Sequence, residues 1–281
     1  MHKLEAYCFP ATVKDAVAEL NAPGRKSVVL GGGTHVARML PPAADTVVDA
    51  RLLKLNYVKS DAKWLTIGAM TTFTELLSKP MIDGWAGGIL RKAAHTISSR
   101  MIRDMGTLGG NLVHPFPYNH FPSILLALDA QAVIALKGKT VTVPVAELSS
   151  GKWAGLLGSK ALLTEIKIPA ATKNHSGVFE KFAKTESMWE SYAIVTVTMD
   201  KKGGICNSAS VAVSSAMPKA DRFPKAEALL KGQRVDERLA EKAAAEVSAS
   251  LSKFTQSDKA DYVRELVRVL VRRAILQAFA Q

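Results

Sequence analysis

The chain has 281 residues, 48% of them hydrophobic and 22% charged, with a formal net charge of +12. That is an ordinary globular composition, with length for one large domain or two modest ones. No apolar run approaches the roughly 20 residues a membrane-spanning helix needs, and an acidic residue and an early proline stand where a secretory leader needs an apolar core; a soluble, cytoplasmic protein is expected.

The start reads as strand–helix–strand. Thr12-Val-Lys-Asp15 is a capping pattern that opens a helix over residues 13–21, and Ala22-Pro-Gly24 closes it. Residues 27–30 are a short apolar strand ending in Gly31-Gly-Gly33. Residues 34–40 suit a helical turn stopped by Pro41-Pro42, and 46–49 form another strand. Together these make a small α/β unit over 1–55. A second unit, 56–172, has a strand at 64–68, a capping pattern at Thr72 to Glu75 before a short helix, and a helix at 88–98. A glycine loop follows at Gly109-Gly110, then a helix at 121–128 and strands at 132–136, 141–143 and 162–168.

The proline and polar residues of 169–176 mark a boundary. The third unit, 173–281, opens with strands at 177–184, 192–199 and 205–214, with Lys201-Lys-Gly-Gly204 as a hairpin turn. Helices at 223–230, 236–251 and 258–280 close it. In the last, Val263, Leu266, Val267, Leu270, Val271, Ala274 and Ile275 recur at helical spacing, which marks core. Arg264, Arg268, Arg272 and Arg273 form its solvated face. The remaining basic residues are scattered, without aromatic interleaving or a nucleic-acid motif, so nucleic acid is not expected. Cys8 and Cys206 are the only cysteines. They are too few for a cluster held by four thiolates and form no zinc pattern, which leaves free thiols as the simplest reading.

The glycine clusters carry the chemistry. Gly31-Gly-Gly-Thr-His35 is not a phosphate-binding Walker loop, because no Gly-Lys follows, and Val36 occupies the third glycine position of a Rossmann fingerprint. A strand that ends in consecutive glycines and a hydroxyl can present several N–H groups to a pyrophosphate, or simply turn tightly. Thr107-Leu-Gly-Gly-Asn111 adds a second nest-like loop with a hydroxyl and an amide, or a plain glycine turn. Together the loops suit a ligand with two phosphates and a long polar body. His35, His114 and His120 have no cysteine or carboxylate at a ligand spacing, so no metal site is expected.

Leu30-Gly-Gly-Gly-Thr34, Ile67-Gly-Ala-Met-Thr-Thr72, Arg103-Asp-Met-Gly-Thr-Leu-Gly-Gly-Asn111 and Ser123-Ile-Leu-Leu-Ala-Leu-Asp129 occur in that order. Leu162-Leu-Thr-Glu-Ile-Lys-Ile-Pro169, Phe179-Glu-Lys-Phe-Ala-Lys184 and the stretch from Tyr262 to Arg273 follow them. In this the chain resembles, over essentially its whole length, the FAD-binding medium subunit of molybdenum hydroxylases, which include carbon monoxide, xanthine, aldehyde and nicotine dehydrogenases. The resemblance implies an α+β fold: a vanillyl-alcohol-oxidase-type FAD-binding domain of two α/β subdomains, then a C-terminal antiparallel sheet with helices. It implies an oxidoreductase subunit whose FAD takes electrons from two 2Fe-2S clusters of a small subunit and passes them to an external acceptor. A large subunit would hold the molybdopterin cofactor, in a hetero-oligomer such as a dimer of heterotrimers.

Residue by residue, the resemblance implies pyrophosphate contacts from Gly31, Gly32, Gly33, Thr34 and His35, and from Thr107, Gly109, Gly110 and Asn111. Leu163 matches an apolar contact near the flavin or adenine. Lys181 matches a basic position near the isoalloxazine, or a solvated strand lysine; Tyr192 matches a residue that covers the ring, or a core tyrosine. The chain departs from the family at His120, where an aspartate usually bonds the FAD ribose or ribityl chain, and at His35, in place of a smaller or acidic residue. A neutral imidazole accepts one hydrogen bond, where a carboxylate accepts more. Two other readings stay open: a flavin-free scaffold subunit of the same complex, and a free-standing flavin oxidase of the same fold. The latter lacks room for a substrate domain and an evident acid–base pair. Substrate and acceptor are not written in this chain.

Overall fold

Three short strands, β1 (Ala6–Cys8), β2 (Ser27–Leu30) and β3 (Thr46–Asp49), form a parallel sheet in the order β1-β3-β2. A parallel sheet needs crossover connections: α1 (Val13–Leu20) links β1 to β2, and β3 then pairs between them. Its N-cap is Thr12, whose hydroxyl accepts from the Asp15 amide at 3.1 Å. The buried Ala16, Val17 and Leu20 lie on one helical face and pack with Val48, Ala50 and Leu53. The computed structural model describes residues 4–114, 116–251 and 259–281. Pro115, in the histidine-bearing loop, and Asp258, the expected start of the last helix, lie outside the described residues.

The second sheet is antiparallel. It contains β4 (Val58–Ser60), β5 (Trp64–Gly68), β6 (Gln131–Leu136), β7 (Lys139–Pro144) and β8 (Leu162–Pro169) in the order β4-β5-β8-β6-β7. With it go α2 (Phe73–Leu77), α3 (Ile89–His95), α4 (Arg100–Met105), α5 (Leu108–Val113), α6 (Phe121–Ala127) and α7 (Val145–Ser149). Leu65, Ile67, Leu76, Leu90, Phe121 and Ile166 share one core. Thr72 and Glu75 form the expected capping box on α2.

Two expectations fail here for local reasons. The helix expected over 88–98 stops at His95, and a further helix, α4, follows it unannounced: Ser98 takes φ 33°, and Ser99 caps the new helix. Gly109 and Gly110 are not a loop but lie in the first turn of α5, capped by Thr107.

The third sheet is antiparallel, with β9 (Ser176–Ala183), β10 (Ser191–Lys202), β11 (Ile205–Ser214) and β12 (Asp221–Arg222) in the order β12-β11-β10-β9. Pairing runs out to Lys202 and Ile205. The hairpin turn is therefore only Gly203-Gly204, both at positive φ (60° and 75°), the backbone a two-residue turn demands. Helices α8 (Pro224–Leu230), α9 (Glu237–Leu251) and α10 (Ala260–Ala280) complete the unit. Val195, Val197, Val211 and Val213 pack with Ala244, Val247, Val267, Val271 and Ile275. On α10, Arg268 pairs with Glu241 and Glu265, and Arg272 with Glu237, so these arginines tie α10 to α9 rather than merely meeting solvent.

The second and third units interlock. Phe179 and Ile194, from β9 and β10, are buried in the core of the second unit, and Arg222 on β12 pairs with Asp129, just after α6, and with Glu227 on α8. Arg222→Ala should destabilise the chain by about 2 kcal/mol, because charge-assisted bonds to two carboxylates are lost. In urea denaturation Arg222→Lys should recover only part of this, since an ammonium lacks the planar guanidinium whose Nε and Nη2 bind Glu227 while Nη1 reaches Asp129.

Candidate functional site

A cavity of about 1100 Å³ is lined by the turn after β2, by α5, by the segment leading into α6 and by part of β8. Its floor begins at Gly31. A Cβ on Gly32 would stand 1.6 Å from the Met105 carbonyl oxygen, and one on Gly31 would stand 3.3 Å from Thr107 Oγ1. Gly33 takes φ +73°, a left-handed conformation that glycine adopts without strain. The first glycine cluster therefore lies directly against the α4–α5 connection. The expected helical turn after it is present, with the amides of Arg38 and Met39 donating to the His35 carbonyl at 2.9 and 3.0 Å.

The two glycine clusters differ in what their N–H groups do. Among the described residues, no group accepts from the amides of Gly32, Gly33, Thr34 or His35. Consecutive free amides of this kind form a concave donor set for an anion. At α5 the donors are already used: Leu108 N bonds Thr71 O (3.0 Å), Gly109 N bonds Ala69 O (2.9 Å) and Gly110 N bonds Thr107 Oγ1 (3.1 Å). A Cβ on Gly109 would meet the Ala69 carbonyl at 2.7 Å. The second cluster is thus a packing device that seats α5, and it places Thr107 and Asn111 at the cavity. Asn111 is held by its Oδ1, which accepts from Phe121 N (3.3 Å), and its carbonyl accepts from Asn119 Nδ2 (2.6 Å). Among the described residues its Nδ2 has no partner.

The field in the cavity has one sign. Arg25, Lys26, Arg38 and Lys160 line it, and among the described residues no Asp or Glu does. Arg25 is offset by Glu19 at 2.6 Å. The other walls are largely apolar and include Leu55, Met70, Ile97, Ile102, Leu162 and Leu163.

Three histidines also line it. His120 is 4% exposed, and burial, helped by the charge of Lys181, lowers its pKa to about 4. Burial and the neighbouring His35 lower His114 to about 4, while burial lowers His35. The rings of His35 and His114 lie 4.2 Å apart between centroids, and His35 meets Phe116 at 4.6 Å. Phe116 and Tyr118 in turn meet Trp189 edge-on at 6.2 and 5.4 Å. Among the described residues, no group of three His, Cys, Asp or Glu side chains could hold a metal ion, and no helix is long and apolar enough to cross a membrane.

Gly31, Gly32, Gly33, Thr34, His35, Thr107, Gly109, Gly110, Asn111, His120 and Leu163 all line this cavity. Lys181 and Tyr192 do not. Lys181 lines a separate cavity of about 280 Å³, where its Nζ donates to the carbonyls of Glu186 (3.0 Å) and Thr96 (3.5 Å). Tyr192 is half-buried against Tyr262 of α10, with ring centroids 6.0 Å apart. Sequence reasoning missed Phe116, Tyr118 and Trp189. The ring-rich, proline-rich segment before α6 hints at the first two, whereas Trp189 carries no local signal.

Residues 2–171 match the family model described as the FAD binding domain in molybdopterin dehydrogenase, and residues 181–278 match the CO dehydrogenase flavoprotein C-terminal domain. The chain belongs to the FAD-binding family of molybdopterin dehydrogenases. Within this family it is similar to the carbon monoxide dehydrogenase medium chain of Hydrogenophaga pseudoflava, at 27% identity over 98% of this chain and 97% of that one. It is also similar to the nicotine 6-hydroxylase medium subunit of Paenarthrobacter nicotinovorans, at 26% identity over 98% and 97%. The solved carbon monoxide dehydrogenase from H. pseudoflava that lacks the Mo-pyranopterin moiety superposes with a TM-score of 0.90, at 27% identity, over 100% of this chain and 99% of that one.

The expected α+β fold, with FAD-binding units followed by an antiparallel sheet and helices, is the fold observed. The protein is an oxidoreductase subunit with an FAD-binding domain, and its relatives are medium chains of multi-subunit enzymes. The residues present suit FAD: the free amides and the carboxylate-free lining answer the pyrophosphate, and the apolar walls answer the rings.

Proposed function

We propose that this chain is the electron-transfer subunit of a molybdenum hydroxylase complex, with FAD lying in the 1100 Å³ cavity. It would receive electrons from the 2Fe-2S clusters of a small subunit, beside a large molybdopterin subunit, and deliver them to an external acceptor. A dimer of heterotrimers in the cytoplasm is the arrangement we favour, and the free thiols of Cys8 and Cys206 suit that reducing compartment. The carrying observation is the run of unpartnered amides from Gly32 to His35, facing a cavity lined by cations.

FAD supplies the capacity to hold two electrons; the protein supplies position and field. Gly32, Gly33, Thr34 and His35 hold the pyrophosphate through backbone donors, with Gly31 allowing the close approach. Gly109 and Gly110 seat α5, so that Thr107 and Asn111 offer side-chain groups from the opposite wall. Leu163 is an apolar wall, and His120 closes the buried end. Lys181 and Tyr192 are not in the proposed set. We divide the chain into units 1–55, 56–172 and 173–281, a division supported by one sheet in each. The open cavity speaks against a flavin-free scaffold. A free-standing oxidase fits poorly, because no carboxylate among the described residues lines the cavity to act as a base.

The purified chain should show flavin absorption at about one FAD per chain, released on denaturation. A folded, colourless chain that takes up no added FAD would overturn the reading.

A further inference from the structure

The segment over 116–120 that walls the cavity is held in part from the third unit. Phe116, Tyr118, Asn119 and His120 all line the cavity. Among them, the Pro117 carbonyl accepts twice from Ser215, from its amide at 2.9 Å and from its hydroxyl at 3.3 Å. Among the described residues nothing else donates to that oxygen. A carbonyl only accepts, so the Ser215 hydroxyl gives its proton to Pro117 and accepts from Ser191 Oγ, 2.7 Å away. The donors therefore run one way: from Ser191, the first residue of β10, to Ser215, just past the end of β11, to Pro117. Two residues before Ser191, Trp189 meets Phe116 and Tyr118 edge-on at 6.2 and 5.4 Å.

This corner carries strain. Ser215 takes φ 66°, a left-handed conformation that is unfavourable for a residue with a side chain. Beside it, Ser214 Oγ is sealed from solvent without a hydrogen-bond partner among the described residues, a costly state for a hydroxyl. Stability alone would favour glycine at 215 and an apolar residue at 214. Strain of this kind persists where the geometry it fixes has a use. Here it fixes the Pro117 carbonyl, and with it the cavity wall on either side.

We propose that Ser215 is a positioning residue of the cofactor cavity: by holding Pro117 it sets the wall over 116–120, and so couples FAD binding to the seating of the C-terminal unit. This rests on the FAD reading above. The coupling is reciprocal: the third unit shapes the site, and ligand in the site holds that corner of the third unit closed.

Ser215→Gly separates position from stability. Glycine adopts φ 66° without strain and keeps the amide bond to Pro117, but it lacks the hydroxyl. The apo variant should melt within about 3 °C of wild type, yet bind FAD about fivefold more weakly in a fluorescence titration. Hydrogen exchange needs no variant. In the wild-type chain, FAD at about a hundredfold its Kd should slow exchange of the Ser215 amide at least about tenfold. Wild-type FAD affinity in Ser215→Gly, a melting temperature far below wild type, or a Ser215 amide whose exchange FAD leaves unchanged would each overturn the inference and leave the FAD reading standing. A folded wild-type chain that takes up no FAD would overturn that reading, and this inference with it.

Discussion

Gly32→Ala should abolish FAD uptake and destabilise the chain by at least about 3 kcal/mol, an overpacking cost that the neighbourhood cannot relax. The added Cβ would lie 1.6 Å from the Met105 carbonyl oxygen and 2.6 Å from its carbon. Both are main-chain atoms on the α4–α5 connection, so no rotamer change relieves the clash. The turn after β2 has to part from that connection, and with it go the four free amides that make the anion site. Gly84→Ala is the control, because Gly84 is exposed and an added Cβ meets nothing within 4 Å. It should stay within about 0.5 kcal/mol of wild type. Thermal unfolding and FAD titration of the two variants decide the matter, and a Gly32→Ala protein with wild-type melting would refute the close approach.

Acid should strip stability from this protein well before its carboxylates protonate. The folded pKa of His120 is about 4, against an ordinary value of 6.5. As pH falls through that window, the unfolded chain binds a proton that the folded chain refuses. The contribution is therefore complete above about pH 6.5 and falls by about 1.4 kcal/mol per pH unit down to about pH 4. The groups facing the ring do not rescue the cation: Lys181 repels it, and the Ala93 carbonyl already holds Nδ1. His114, also lowered to about 4, acts in the same direction. Urea denaturation at pH 7 and pH 5 should show a smaller acid loss in His120→Gln than in wild type. Equal pH slopes in the two proteins would show that His120 does not titrate as described.

Most of the strands were legible, because buried sheets are written as short apolar runs such as Val28-Val29-Leu30 and Val195 to Val197. Helix α4 was not: it has no buried residue, so it leaves no apolar periodicity, and Ser98 at φ 33° breaks the helix before it. The glycine clusters show a sharper limit. Glycine in sequence says that something comes close, without saying whether it is a ligand or the protein's own backbone. At Gly32 the Met105 backbone comes close while, among the described residues, the amide has no acceptor; at Gly109 the amide is spent on Ala69. The placement of Lys181 and Tyr192 was illegible because alternation along β9 and β10 does not reveal that no strand of the third sheet lines the cavity. Trp189 reaches Phe116 and Tyr118 from a different unit, a contact that only tertiary structure creates.

All four free amides belong to the smallest unit of the molecule, the one built on three strands of three or four residues each. A ligand held there but not by the unfolded chain adds its binding free energy directly to the folding of that unit. On the reading proposed above, chains made while FAD is scarce would carry that unit without this support, within reach of the proteases that survey unfolded protein. Cofactor supply would then bear on how long a new chain survives.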